Sequence, residues 1–134
     1  MSLMNKNESA IGQTIDELNL LKRKMTFLQH ENLAQKNRLI ELLKAPKESP
    51  DDLLEIAENY QNQFLQQDET LRLFTNDLTQ LGESLAKDVG NETNFKNLAH
   101  RKNKLKHEIE FLDESYARLK KNFDNFLAVH FATN

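Results

Sequence analysis

Four histidines and twenty-one carboxylates are the side chains of this 134-residue chain best suited to hold a metal or move a proton. Their spacing brings none of them together. His100 and His107 stand ~10 Å apart along a helix, too far to share an ion without a further ligand. His30 falls on an outer helix face and His130 near the end of the last helix. No His-Glu-x-x-His or Glu-x-x-His spacing occurs, so neither a zinc peptidase nor a di-iron bundle is indicated. The absence of cysteine removes thiolate ligands, cysteine nucleophiles and disulfides. There is no glycine-rich phosphate loop and no nucleophile elbow. The expectation is a non-enzymatic chain with no catalytic, cofactor-binding or metal-binding residues and no small-molecule substrate.

One cluster has chemistry of another kind. Between Glu92 and Glu108 lie Lys96, Arg101, Lys102, Lys104 and Lys106, with no acid among them. Such a run can neutralise phosphates, so Lys96, Arg101, Lys104 and Lys106 are the candidate residues of a nucleic-acid-associated helical protein, the alternative reading. These side chains point around a helix, however, and several are expected to pair with acids near Asp77 or Glu83. A solvated helix surface explains them more simply.

The elements that position these residues are written in a two-in-seven apolar repeat. It occurs in three blocks: Ile11 to Leu42, Leu53 to Leu85 and Phe95 to Phe126. Alternating steps of three and four keep each block on one seam of a helix, the pattern of coiled-coil packing. Glycine and proline are scarce, which allows long helices. Helix 1 is expected over about 11–44, helix 2 over about 50–89 and helix 3 over about 92–130. Residues 1–10 are expected to fray, and residues 1–3, ahead of the second methionine Met4, are set aside as a candidate cloning remnant. Pro46 ends helix 1, and Ser49-Pro50 can cap and open helix 2. Gly90-Asn91 can break helices 2 and 3, with one continuous helix as the rival.

Near-equal lengths and short connections point to one all-α domain: an elongated antiparallel three-helix coiled-coil bundle running up, down and up. The alternative is a hairpin of helices 2 and 3 with helix 1 free to dimerise. In the bundle, Leu85–Leu98 and Leu78–Leu105 align helices 2 and 3, and Leu42–Ala57 and Leu28–Leu71 align helices 1 and 2. Stacking both registers places Asn32, Gln67 and Tyr116 in one polar layer, where they can pair and penalise slipped registers. Charge agrees with this order. Residues 50–88 hold nine acids and two bases, while 11–44 and 92–131 are each mildly basic.

Helix 1 carries apolar residues away from its seam: Leu20, Phe27, Leu33 and Ile40. They read as a face for another protein helix or a second copy of this chain, and a broader core is the competing explanation. The function expected is therefore a coiled-coil protein–protein interaction or scaffold domain. No membrane partner is expected, since no run nears the ~18 apolar residues of a span. A soluble, cytoplasmic setting is the default.

Overall fold

The computed structural model describes residues 3–44, 51–87 and 92–130. All of these are helical: α1 spans Leu3–Lys44, α2 Asp51–Lys87 and α3 Glu92–His130. The expected capping and turn residues Ser49, Pro50, Gly90 and Asn91 lie outside the described residues. The helix limits on either side agree with the expected breaks to within two residues. The beginning of α1 does not. It is helical from Leu3, although residues 1–10 were expected to fray. The apolar repeat starts at Ile11, but nothing between Leu3 and Ile11 interrupts a helix. Once a helix is nucleated, each added residue needs only one further backbone bond.

Side chains report the direction of each pair. Asn32 of α1 reaches Asp68 of α2 while Gln29 reaches Thr75, so residue numbers run in opposite senses. Tyr60 and Phe64 of α2 meet Phe126 and Phe123 of α3, again antiparallel. Glu17, Lys24, Glu31 and Arg38 of α1 meet Lys102, Asp113, Lys120 and Asp124 of α3 in rising order, so these two run parallel. The chain is thus an up-down-up three-helix bundle. α1 packs on both other helices, which disposes of the hairpin with a detached helix 1. Packing of α2 beside α3 likewise disposes of one continuous helix.

The repeat positions fill the interior, in two blocks. One is aliphatic and includes Leu18, Met25, Leu28, Leu71, Leu78, Leu105, Ile109 and Leu112. The other is largely aromatic: Phe64, Phe123 and Phe126 with Tyr60, Leu39 and Ala57. Tyr60 packs on Phe123 and Phe126 at 5.2 Å between centroids and Phe64 lies edge-on to Phe123 at 5.1 Å, while Phe123 and Phe126 stack at 6.5 Å. Tilted and edge contacts of this kind match the positive edge of one ring to the negative face of another. Between the two blocks, α1 presents two successive polar seam residues, Asn32 and Gln35, both buried.

A polar belt, an ion-pair ladder and two exposed apolar pairs

The belt is built outward from Asn32, which is 0% exposed. Its Nδ2 donates to the backbone carbonyl of Phe64 at 3.0 Å and to Asp68 Oδ1 at 2.6 Å. The second oxygen of Asp68 accepts from the Lys36 ammonium. On the other side, Arg38 donates to Gln35 Oε1 at 2.7 Å and to Asp124 Oδ1 at 2.8 Å. Its guanidinium also lies over the Phe123 ring, 5.6 Å from the centroid. About two turns of α1, from Asn32 to Arg38, therefore fasten both partner helices near the middle of the bundle. Bonds to charged groups are the stronger ones in a protein interior.

Asn32, Gln67 and Tyr116, expected to pair in one polar layer, are not bonded to one another. Asn32 bonds to Asp68 and Phe64. Its Oδ1, Gln67 Nε2 and the Tyr116 hydroxyl are each buried without a hydrogen-bond partner. Tyr116 stands beside Gln35 and Glu31, but not in bonding geometry. Its phenol is pushed up to about 12, first by burial and then by the negative charge of Glu31. Burial alone raises Tyr60. Sequence reasoning missed Asp68, Lys36 and Arg38. They flank the seam, and attention to the seam alone passes over them.

Charge pairing also departs from expectation. No ion pair joins α2 to α3 among the described residues, so the basic run is not neutralised by Asp77 or Glu83. Arg101 and Lys104 share an open groove with Asp77 and Glu108 without a bridge. The ladder instead joins the two mildly basic helices. Lys24 meets Asp113 at 2.6 Å, Arg38 meets Asp124 at 2.8 Å and Glu31 meets Lys120 at 3.7 Å. Lys102, buried at 7% exposure, bonds the Glu17 carboxylate. The reason is positional. Glu17, Lys24, Glu31 and Arg38 recur every seven residues on one flank of α1 with alternating sign. α1 and α3 also make the fewest close backbone approaches, and long charged side chains span that wider gap.

Lys96, Arg101, Lys104 and Lys106 are all exposed and are not gathered on one face. At ~100° per residue they spread over most of the free circumference of α3. No group of three or more His, Asp or Glu suited to a metal occurs among the described residues.

The outer residues of α1 are accessible, with Leu20, Phe27, Leu33 and Ile40 exposed by 41–60%. They are not part of a broader core. Nor are they one stripe. Leu20 and Phe27 share a line, as do Leu33 and Ile40, but the six-residue step from Phe27 to Leu33 turns the helix by ~120° in the opposite sense. Phe27 and Leu20 lie toward the α3 side and Leu33 and Ile40 toward the α2 side.

No helix among the described residues is long and apolar enough to cross a membrane. No protein family, no curated protein and no solved structure matches the chain.

Proposed function

We propose that this is a non-enzymatic protein–protein interaction domain, a rigid helical scaffold that engages a second copy of itself or a partner helix through the outer surface of α1. The observation that carries this reading is the exposure of Leu20, Phe27, Leu33 and Ile40 on a bundle whose seam is already filled. Scattered exposed leucines are ordinary, but paired apolar residues at seven-residue spacing repeat the geometry by which helices recognise one another.

The test is sedimentation and circular dichroism of the wild-type chain and of a Phe27→Glu/Ile40→Glu variant. Assemblies that disperse with helicity intact support the reading. Unfolding of the variant would show that these side chains hold the bundle together and would end it. The nucleic-acid reading has less support, because the bases it requires are spread around α3.

A further inference from the structure

The exposed apolar residues are not evenly distributed. On α1, Gln29 and Lys36 face α2: Gln29 donates to Thr75 at 3.3 Å, and Lys36 bonds Asp68. Leu43 continues that line by seven residues, and Leu33 and Ile40 lie one step further out on the same side. On α2, Asp68 and Thr75 face α1; Leu54 shares their seven-residue line and Leu65 borders it. The register that sets Asn32 against Asp68 puts Leu33 opposite Gln67, ~3 Å in height from Leu65, and Leu43 opposite Ala57, within a helical turn of Leu54. One groove, between α1 and α2 at the aromatic end, is therefore edged by Leu33, Ile40, Leu43, Leu54 and Leu65, each 38–52% exposed.

We propose that this groove is covered by a second copy of the chain, with the two-fold axis running along the bundle so that α1 of each protomer lies on α2 of its partner. The proposal rests on the interaction-domain reading above and names its occupant and geometry. Charge selects both. On the two seven-residue lines of each helix that border the groove, α1 carries Lys22 and Lys36 and no acid between 11 and 44, whereas α2 carries Glu58 and Asp68 against Arg72 between 54 and 86. A two-fold axis across the bundle would set acidic α2 against acidic α2. An axis along it sets basic α1 against acidic α2 twice, which is the self-complementary arrangement an isologous dimer requires. Heights are preserved by that axis, so Leu33 lies ~3 Å in height from the partner's Leu65, and Leu43 lies within a helical turn of the partner's Leu54. Lys44 of one protomer comes within a helical turn of the height of the partner's Glu58. The result is a four-helix contact in which every neighbour is antiparallel.

The chain has no cysteine, so introduced thiols report geometry directly. Leu33→Cys and Leu65→Cys are made in separate chains, mixed and oxidised. Cross-linking in the mixture well above that of either variant alone is expected. Efficient self-linking of either single variant overturns the lengthwise axis. Sedimentation equilibrium should give twice the chain mass for wild type and for Phe111→Glu, an exposed residue of α3 outside the groove. Leu33→Glu and Leu65→Glu should each give the monomer mass with unchanged helicity. A wild-type monomer at every concentration overturns the second copy as occupant but leaves a partner helix standing. Loss of helicity in both glutamate variants overturns the free groove and the interaction reading together.

Discussion

The carboxamide of Asn32 lies 2.6 Å from Asp68 Oδ1, so the most deeply buried polar side chain of α1 is tied to a carboxylate on the flank of α2. This bond also fixes register, because a slipped α2 would leave Asn32 facing an apolar seam with its donors unsatisfied. A double-mutant cycle on Asn32→Ala and Asp68→Ala, read by urea unfolding, should give a coupling of about 1.5–3 kcal/mol, the range for bonds to charged groups. Additive losses would show that the pair does not interact in solution.

Tyr116 is expected to behave in the opposite way. Its hydroxyl is buried and unpartnered, so Tyr116→Phe removes a desolvated group and little packing. Stability in denaturant titrations should be unchanged or higher by up to about 1 kcal/mol. A loss beyond that would mean the hydroxyl is bonded in solution.

The same residue sets an alkaline limit. The folded-state value of Tyr116 is raised to about 12 from 10.0. The unfolded chain therefore releases the proton first as pH climbs. Stability is complete below pH ~10 and falls between ~10 and ~12 as the unfolded state ionises. Tyrosinate absorbance of the native protein should lag that of the unfolded chain, and Tyr116→Phe should shorten the lag.

Lys102 and Glu17 should respond unequally. Lys102 is buried in the seam, while Glu17 keeps access to water. Lys102→Met fills the site with an apolar stem and is expected to be neutral or stabilising in thermal unfolding. Glu17→Ala leaves a buried ammonium without its partner and should cost about 1–3 kcal/mol. Equal effects would contradict this account.

Phe123 is fully buried at the centre of the aromatic block and touches Tyr60, Phe64 and Phe126. Phe123→Ala should cost about 3–5 kcal/mol, visible in the midpoint of chemical unfolding. A loss under 1 kcal/mol would mean that this end of the bundle is loosely packed.

The seam was legible because its signal is local and periodic. Leu28, Leu71 and Leu112, read from the repeat, belong to one buried cluster. Asn32, Gln67 and Tyr116 were legible as polar residues of the seam, since each breaks the apolar pattern of its own helix. What they bond to was not. Asp68 sits beside the seam, and whether it turns inward depends on the neighbouring helix. The ladder between α1 and α3 was hidden by summing charge over each helix. Both sums are weakly positive, yet Glu17, Lys24, Glu31 and Arg38 alternate in sign at the spacing the parallel pair needs. Position along the flank carries the information that net charge discards.

That ladder has a mechanical consequence. With three alternating helices, the beginning of α1 and the end of α3 lie at opposite ends of a rod on the order of 60 Å long. Tension applied through those two points does not peel the helices apart one rung at a time. It drives α1 and α3 past each other lengthwise, loading Lys102–Glu17, Lys24–Asp113, Lys120–Glu31 and Arg38–Asp124 together in shear. The alternating signs oppose slip in either direction, because a displacement that breaks these pairs brings like charges toward one another before opposite ones meet again.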